Sequence, residues 1–369
     1  MKILFFSKVD FRKDSNFGIV KKIKGQCEAF SNLGDEVDLL YKSGNTAILK
    51  SRNEVKNLNE KNNKWSLIYS HFIKSAFWVN ANKYDLIYVR HFLMNPFFLF
   101  FLLINYRSKI VLEIPTYPYK GEINMVGVKG KLSILMDAIV NLFFKFFIYR
   151  IITFSNEDSI FGIETIKIHN AINNKQIHLK NPSNATGLRL VAMGHIQKWH
   201  GYDRLVYGLA KYYSGSHEEN IMLDIVGDGP ELANLKEIVS DLNLTNHVIF
   251  HGFKSGEELN SILNAAHIGV STLGRHRVAT ANGNTSDLKS REFLANGLPV
   301  LLGYNDRGLD MTKPFFCQVS ADDTPIHIDE VVNFYQSLKA QNNLSQEIFD
   351  YAKAYLTWDT QMAQVKSAL

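Results

Sequence analysis

The strongest constraint on the fold is a repeated alternation of short runs rich in β-branched and aromatic residues with longer segments of helical periodicity. This alternation is typical of βαβ units, which build parallel sheets covered by helices. It occurs in two consecutive series, separated by the polar stretch NPSNATG at 181–187. The sequence therefore predicts an α/β fold with two similar parallel-sheet domains facing each other. The predicted strands are 2–7, 36–41, 65–70, 84–90, 109–115 and 150–155 in the first series, and 188–194, 221–227, 247–253, 268–272 and 298–303 in the second.

The length of 369 residues fits two domains, since a domain averages about 150 residues. We place the first at 1–182 and the second at 183–350. With 46% hydrophobic and 21% charged residues, the composition excludes disordered and collagen-like classes. Cys27 and Cys317 are too few for a disulfide framework or a four-ligand zinc site. The opening MKILFFS is too short an apolar run for a secretion signal, so we expect a cytoplasmic protein.

Basic residues are concentrated in the first half of the chain. Residues 1–180 hold 26 Lys and Arg against 15 Asp and Glu, whereas the remainder holds 15 against 21. This asymmetry indicates an anionic partner for the first domain, unless it is only an uneven surface composition. A membrane surface and a nucleic acid both fit the charge. No basic-aromatic recognition motif accompanies it, so we expect no nucleic-acid partner.

Two apolar segments bear on the membrane alternative. Residues 92–106 are shorter than the roughly 20 residues that span a bilayer. In residues 135–152, Asp137, Asn141 and Lys145 follow at spacings of four and form one polar stripe on a mostly apolar helix. Each segment either covers a buried sheet or leaves an apolar, basic-flanked face that docks on anionic lipid. Lys129, Lys131, Arg107 and Lys109 flank them.

Candidate functional residues follow the predicted strands, because ligands bind beyond the carboxyl ends of strands in open parallel sheets. In the first domain these are Gly18, Arg90, His91, and the stretch EIPTYPYKGE (113–122) with Glu113, Tyr117, Tyr119 and Glu122. In the second domain they are GHIQKWHG (194–201), GDGP (227–230) and the long loop 273–287.

The segment TSDLKSRE at 285–292 is suited to holding a diphosphate. The chain lacks GxGxxG, GxxxxGKS/T and Asp-x-Asp motifs, so neither a phosphate loop nor a metal clamp is available for a phosphate. Ser286 or Asp287 can cap a helix whose free N–H groups face the phosphate. Lys289 adds a positive charge, and Glu292 can accept hydrogen bonds from sugar or ribose hydroxyls. We expect no metal and no cofactor.

Four motifs in the second half, taken in order, resemble those of the retaining glycosyltransferases of family 4. They are MGHIQKWHGYDRL (193–205), IVGDGPEL (225–232), VIFHGF (248–253) and SREFLANGLPVL (290–301). The first half agrees more loosely, through Gly18, the IYVR strand end and ITFSNED (152–158). Within the family, WHGYDRL, EIPTYPY and DLKSREFLANGLPVL look most like bacterial enzymes that assemble capsule, exopolysaccharide or O-antigen repeats.

The resemblance implies a GT-B fold, in which two Rossmann-like domains face a central cleft and a C-terminal helix, here about 351–369, crosses back to the first domain. It implies that Glu292 is the second glutamate of the family's Glu-x7-Glu motif and contacts the ribose. The amides around Leu288 and Lys289 would hold the diphosphate, with Asp287 at the donor site and Gly18 approaching from the first domain. Arg90, His91, Glu113, Tyr117 and Tyr119 are expected to line the acceptor site.

Three departures from the family pattern change the expected ligands. Asn284 stands where the first glutamate belongs, after a longer loop, and His195, Lys198 and His200 occupy the region of the family's Arg and Lys. Many relatives carry a histidine near the acceptor, where this chain offers Arg90 and the stretch 115–119. The cations available for the phosphates are Arg275, Arg277, Lys198 and Lys289, of which we assign Arg277 and Lys289 to catalysis together with Glu292.

The resemblance implies a metal-independent hexosyltransferase that moves a sugar from a nucleotide-sugar donor, with retention, to a lipid-linked or oligosaccharide acceptor. A lipid-linked acceptor would explain the apolar segments and the basic first domain, and it places the protein peripherally on the inner face of the cell membrane. Two alternatives remain open. One is a nucleotide-sugar epimerase of similar fold, and the other is a catalytically silent binding subunit, suggested by the missing first glutamate.

Overall fold

The structure, a computed structural model, describes residues 1–59, 61–119, 128–174, 179–180, 187–278, 284–339, 341 and 343–369, without the side chains of 129, 284 and 285. The chain forms two compact units, Met1–His169 together with Trp358–Leu369, and Asn170–Thr357. Neither unit contains, within the described residues, a helix long and apolar enough to cross a bilayer.

The first unit is built on a mixed sheet. Its elements are β1 (Lys2–Asp10), α1 (Phe17–Asn32), β2 (Glu36–Ser43), β3 (Thr46–Lys50), β4 (Val55–Asn57), α2 (Lys64–Ile68), a π-helical turn (Tyr69–Lys74), α3 (Ser75–Asn82), β5 (Leu86–Arg90), α4 (Pro96–Ile104), β6 (Lys109–Ile114), α5 (Val128–Asn141), α6 (Phe144–Phe147), β7 (Ile148–Thr153), β8 (Ser159–Ile160) and β9 (Ile163–Lys167). The sheet order is β4-β3-β2-β1-β5-β6-β7-β9-β8. Strands β2, β1, β5, β6, β7 and β9 are parallel, while β3, β4 and β8 pair antiparallel at the two edges.

The second unit is built on a parallel sheet. Its elements are β10 (Leu188–Met193), α7 (Tyr202–Tyr213), β11 (Ile221–Val226), α8 (Leu232–Asp241), β12 (Val248–Gly252), α9 (Gly256–Ala265), β13 (Ile268–Val270), β14 (Asn284–Thr285), α10 (Leu288–Ala295), β15 (Val300–Leu302), β16 (Asn305–Asp306), β17 (Phe316–Gln318), α11 (Ile328–Lys339) and α12 (Leu344–Tyr355), after which α13 (Trp358–Ser367) belongs to the first unit. The sheet order is β12-β11-β10-β13-β15-β17, and β14 pairs with β16 separately.

The prediction of an α/β fold with two parallel-sheet domains is confirmed. The central strands are buried on both faces, as in β5 and β10, and such strands read in the sequence as continuous apolar runs. The predicted strand at 65–70 is wrong, because these residues form α2 and the start of the π-helical turn. The Asn63 side chain accepts a hydrogen bond from the Ser66 N–H at 2.8 Å and begins the helix. Phe72 is then buried against the sheet.

A C-terminal helix belongs to the first unit, as predicted, but this is α13, which begins at Trp358, so residues 351–357 of the predicted segment stay in the second unit. Helix α13 packs on α1 at Gly25, where an added Cβ would lie 2.5 Å from Cδ1 of Trp358. The Lys366 ammonium pairs with the Asp35 carboxylate at 2.8 Å. The units divide between His169 and Asn170, upstream of the boundary placed at 182, because the Asn170 N–H donates to Ser286 Oγ at 2.9 Å in the second unit.

Candidate functional site

Two glycine turns meet at the carboxyl end of the second sheet. Gly227 (φ +125°) and Gly229 (φ +158°) follow β11, and an added Cβ would lie 2.0 Å from the Gly194 carbonyl or 2.2 Å from that of Ile196. Only glycine permits this approach of one backbone to another. An added Cβ on Gly194 would lie 3.6 Å from Cδ of Lys289. The turn after β10 therefore presents bare backbone next to the lysine.

Helix α10 begins beside this turn, and among the described side chains its N-cap residue makes no capping hydrogen bond. Asp287 stands at the N-cap position with extended backbone and makes no side-chain cap hydrogen bond. Its Oδ2 accepts instead from Thr272 Oγ1 at 2.5 Å, and Ser286 Oγ accepts from the Asn170 N–H. The predicted cap is thus wrong, since both candidate side chains bind other donors. An uncapped helix start offers its amides and its positive dipole end to an anion.

Lys289 lies in the first turn of α10. Its Nζ donates to the Tyr202 hydroxyl at 3.2 Å and lies 5.4 Å from the centre of that ring. Burial lowers the pKa of Lys289 to about 8, while Asp287 raises it, Arg275 lowers it and Glu292 raises it. A cation so placed is suited to an anionic ligand.

His200 lies under this lysine and is buried at 7% exposure. Its Nδ1 accepts from the Gln197 N–H at 3.2 Å. Burial lowers the pKa of His200 to about 3, and the charges of Lys289, His195 and Arg275 act in the same direction. His200 is therefore neutral and shapes the site without adding charge. His195 and Lys198 are exposed on the same turn.

We assigned Arg277 to catalysis at the phosphates, but in the structure its guanidinium is engaged by carboxylates. Its two terminal nitrogens donate to the Asp203 carboxylate, each at 2.8 Å, and its Nε donates to Asp323 at 2.6 Å. The Lys198 carbonyl accepts a further hydrogen bond at 2.9 Å. The hydrogen bond to Asp203 is the main cause of a raised Arg277 pKa. This arrangement favours a positioning role over direct phosphate contact.

Arg275 is a second arginine of this region, which we named among the available cations but did not assign to catalysis. Its Nε is buried without a hydrogen-bond partner. Its charge lowers the pKa values of both Lys289 and His200, so the guanidinium lies within electrostatic range of both. Because Arg275 and Arg277 are two residues apart in one 3-10 turn, the sequence could locate the pair but not tell which guanidinium has carboxylate partners.

We expect Arg277→Met and Asp203→Asn to lower the melting temperature and the transfer rate by similar factors. Each variant breaks the same bidentate pair, and neighbours within one network are not additive. Arg277→Met also removes the hydrogen bonds to Asp323 and to the Lys198 carbonyl, but these are exposed and contribute little. The double variant should therefore lose little more than either single variant, as measured by thermal denaturation and initial rates. A direct phosphate contact predicts otherwise, with Arg277→Met at least about 10-fold slower than Asp203→Asn.

Helix α10 is anchored from below by a buried ion pair. Arg291 donates to both oxygens of Asp306, at 2.6 and 2.8 Å, and both side chains are fully buried. Arg291 also donates to the Asp287 carbonyl at 2.9 Å, which fixes the helix start. Sequence reasoning missed this pair, because the sheet topology brings the two residues together. Glu292, on the next position, is half-buried, and the side chain of Asn284 lies outside the described residues.

In the first unit, Arg90 and Glu113 form a buried network at the ends of β5 and β6. Arg90 pairs with Glu113, which is fully buried and also accepts from the Tyr88 hydroxyl at 2.6 Å and from Gln26 at 2.7 Å. Because every one of these groups is bonded inside the unit, Glu113 serves to position Arg90. The predicted hydrogen bond between Glu113 and an acceptor hydroxyl is not supported, because the Glu113 carboxylate is fully buried.

The other predicted acceptor residues of this unit form an aromatic cluster. The rings of His91 and Tyr119 lie 4.3 Å apart, and Tyr117 lies 6.3 Å from Tyr119. The Tyr119 hydroxyl donates to the buried Asp137 at 2.6 Å. Burial lowers the pKa of His91 to about 4, with Asp137 opposing and Arg90 assisting. His91, Tyr117 and Tyr119 thus form one cluster, and its role as the acceptor site stays a prediction.

For two further candidates of this unit, Gly18 and Glu122, the structure gives no contact that bears on a role. Gly18 lies exposed in the first turn of α1, and an added Cβ would meet nothing within 4 Å inside the unit. Its role at the donor therefore stays a prediction. Glu122 lies outside the described residues.

Helices α5 and α6 bury two of the three residues of their polar stripe and expose a row of apolar residues. Asp137 and Asn141 are buried, and Asp137 accepts from the Met94 N–H at 2.8 Å. Lys145 remains exposed. We call the outward residues the apolar face; they are Leu132, Leu135, Met136, Ile139, Leu142, Phe143 and Phe146, with exposures of 37% to 70%. These helices therefore cover the sheet through Val140 and Phe144 and also leave an exposed apolar face, whose docking on lipid stays a prediction.

The fold matches solved GT-B glycosyltransferases over its whole length. Anabaena Alr3699/HepE in complex with UDP aligns at 15% identity and a TM-score of 0.61, covering all of both chains. A glycosyltransferase from Rickettsia africae ESF-5 aligns at 14% and 0.62, covering 100% of this chain and 97% of that one. The lipopolysaccharide outer core galactosyltransferase WaaB aligns at 13% and 0.58, covering all of both chains. The chain therefore has the two-domain GT-B fold.

A family comparison adds a match in sequence. Residues 173–285 match the model of the family described as "Glycosyl transferases group 1". No curated protein matches the chain. The family match and the fold together support a glycosyltransferase enzyme. In the part of the chain that the structure describes, no three His, Cys, Asp or Glu residues are grouped to hold a metal ion.

Proposed function

We propose that the protein is a retaining glycosyltransferase that moves a hexosyl group from a nucleotide sugar to a lipid-linked oligosaccharide in the synthesis of a bacterial surface polysaccharide. The observation that carries the proposal is Lys289, a half-buried cation beside the uncapped start of α10 and the bare backbone of Gly194. These groups form a phosphate-binding arrangement at the carboxyl end of a parallel sheet, where such folds bind ligands.

At the donor, the proposed catalysis consists of stabilising the negative charge of the leaving diphosphate. As the bond from the sugar to the diphosphate breaks, negative charge grows on the leaving oxygen. Lys289, Arg275 and the first amides of α10 stabilise that charge, because cations fixed in advance cost no reorganisation. Glu292 is half-buried one turn along the same helix and accepts from the ribose hydroxyls. Two of the similar structures, of Alr3699/HepE, contain UDP or UDP-glucose, which supports a nucleotide-sugar donor.

Retention is proposed to follow from the departing phosphate. The phosphate removes the acceptor's proton on the face from which it leaves, so no protein nucleophile is required. The diphosphate is neutralised by the cations and amides, and the proposed reaction includes neither a metal nor another cofactor. His200 is neutral, as its lowered pKa indicates, and therefore adds no charge beside the phosphate.

The acceptor end is proposed to lie on the first unit, at His91, Tyr117 and Tyr119 with Arg90. Sugars stack on aromatic rings and bond to polar tips, which this cluster supplies. The apolar face and the exposed Lys131 and Lys145 support docking on the anionic inner leaflet of the cell membrane, where a lipid-linked acceptor resides.

A transfer assay tests the proposal. Purified protein is incubated with UDP-, GDP- and ADP-sugars, with and without a lipid-linked acceptor, and nucleoside diphosphate and product are measured. We expect diphosphate release only when the acceptor is present, with the anomeric configuration of the donor kept in the product. Interconversion of the donor without acceptor would establish the epimerase, whereas failure of every nucleotide to raise the melting temperature would favour the silent binding subunit.

A further inference from the structure

A second cluster of cations surrounds a cavity in the first unit, apart from the residues discussed so far. The cavity has a volume of about 250 Å³. Lys8 near the end of β1, Lys42 near the end of β2, and Lys64 at the start of α2 line it, together with Asn45, His71 and Phe72. Lys8 and Lys42 place the cavity at the carboxyl end of the neighbouring parallel strands β1 and β2. Open parallel sheets bind ligands at this edge.

The charge of the cavity is one-sided. No carboxylate belongs to its described lining, and of its three lysines Lys42 also contacts the Asp10 carboxylate, at 3.8 Å. The Lys8 ammonium lies 5.1 Å from the ring centre of Phe92 and 5.7 Å from that of Phe72. Burial against this apolar wall lowers the pKa of Lys8, and the charges of Lys42 and Lys64 lower it further. Repulsion among the three ammonium groups destabilises the folded protein as long as no anion occupies the cavity.

His71 supplies the second, independent observation. Its side chain is 2% exposed, and neither ring nitrogen makes a hydrogen bond of normal geometry. Phe6 packs edge-on against the ring at 4.9 Å. Burial lowers the pKa of His71 to about 3, with Lys8 and Lys42 assisting and only the Ser7 backbone opposing. Because the Ser7 backbone can engage only one of the two ring nitrogens, the other is left without a partner, which is rare for a buried imidazole and in a cavity indicates a missing ligand.

We propose that this cavity binds the phosphate or diphosphate group of the acceptor. The three lysines neutralise the anion, His71 donates its ring N–H, and Asn45 lies at the rim. The assignment to the acceptor rests on the proposed function, whereas the anion site itself does not.

A phosphate ester fits the cavity better than other anions do. Ammonium groups bind phosphate as point charges from several directions, whereas planar carboxylates are best bound by the fork of an arginine. None of the described lining residues is an arginine. The volume lies just below the range of about 300–1,000 Å³ for whole small-molecule sites, so it suits a headgroup. The lipid and the sugar would then extend outside the cavity.

Inorganic pyrophosphate is the probe for the site itself. The full-length protein, with its histidines labelled with ¹⁵N and ¹³C, is titrated while the His71 ring is followed by NMR, and affinity is measured by calorimetry. We expect saturable binding with an upward shift of the His71 pKa, because a nearby anion favours the protonated ring. Lys8→Met and Lys64→Met should each weaken this response at least 10-fold, and Lys8→Met should raise the melting temperature of the empty protein.

Lys56→Met, an exposed lysine on the edge strand β4, is the matched control and should leave the His71 response unchanged. A His71 ring that does not respond to pyrophosphate, or responds equally in all variants, overturns the site. That readout needs no transfer activity, so it is independent of the proposed function. Conversely, a protein that binds pyrophosphate at His71 but transfers no sugar leaves the anion site standing and removes the proposed function.

Kinetics decide whether the phosphate belongs to the acceptor. With a diphosphate-linked acceptor, Lys8→Met should raise the acceptor KM at least 10-fold while kcat and the donor KM stay within twofold. With a matched glycoside that lacks phosphate, Lys8→Met and the wild type should have equal KM values. An unchanged KM for the diphosphate-linked acceptor overturns the acceptor assignment and attributes the site to a free phosphate instead.

Discussion

Replacing Lys289 by methionine is expected to lower kcat/KM for the donor by about 100- to 1,000-fold while the protein still folds. A charge that acts on the leaving phosphate contributes most in the transition state, and removal of one such group from other enzymes costs about 3–4 kcal/mol. Methionine keeps the length and the apolar contacts of the lysine stem, so the packing on Tyr202 is conserved. Initial rates with the donor varied at saturating acceptor give the measurement.

The same variant is expected to be more stable than the wild type at neutral pH. The pKa of Lys289 is about 8 in the folded state against 10.5 for an unperturbed lysine. Below pH 8 both states hold the proton, and the folded state bears the full cost of the buried charge. Between about pH 8 and 10.5 only the unfolded state holds it, so wild-type stability gains relative to Lys289→Met as pH rises. At neutral pH, the free energy of unfolding of Lys289→Met should exceed that of the wild type by about 1–3 kcal/mol.

The pH dependence of the rate provides the control for charge. With wild-type enzyme, kcat/KM for the donor should fall above about pH 8, where the free enzyme loses the Lys289 proton. Lys289→Arg should retain part of the activity and lose this fall. Lys211→Met, an exposed lysine of α7, should behave as wild type in all three measurements. A Lys289→Met enzyme with more than a tenth of the wild-type kcat/KM would contradict the assignment.

The two cations of this region show what the sequence can and cannot predict. The position of Lys289 in the first turn of α10 follows from local sequence, because helix periodicity and turn signals place it. The pairing of Arg277 does not, because its partners Asp203 and Asp323 lie 74 and 46 residues away. Local pattern therefore identified a basic site, and tertiary contacts determined that Arg275, and not Arg277, has a buried nitrogen without a partner.

The fold could be predicted to a similar depth. Buried parallel strands such as β5 and β10 are recognisable because both faces are apolar. The antiparallel edge strands β3 and β4 were not predicted, since β4 is exposed throughout and only alternate residues of the short β3, Ala47 and Leu49, are buried. The stretch WSLIYS at 65–70 has the composition of a strand, yet the Asn63 cap and the burial of Phe72 make it helical. The cavity lined by Lys8, Lys42 and Lys64 could not be predicted, because only the sheet topology brings these residues together.

The largest expected effect outside the donor site concerns the apolar face. The triple variant Leu135→Ser, Leu142→Ser and Phe146→Ser should lose at least 10-fold in affinity for vesicles of phosphatidylglycerol and phosphatidylcholine. These side chains are 56%, 70% and 68% exposed, so the folded protein gains little from them. Inserting them into a bilayer would instead remove their apolar area from water, at about 25 cal/mol per Å². Sedimentation with vesicles measures the affinity.

The control for this variant is Phe253→Ser, which removes an apolar side chain that is 78% exposed on the second unit. It should leave vesicle binding unchanged, and the melting temperatures of both variants should stay near that of the wild type. Lys131→Gln with Lys145→Gln should weaken binding only to anionic vesicles and only at low salt, because exposed charges are screened beyond about 10 Å at 0.1 M salt. Vesicle binding that survives the triple variant would show that the apolar face meets something other than lipid. Transfer to a short, water-soluble acceptor should be unaffected in every one of these variants, because none of the changed residues lies among the groups proposed to bind donor or acceptor.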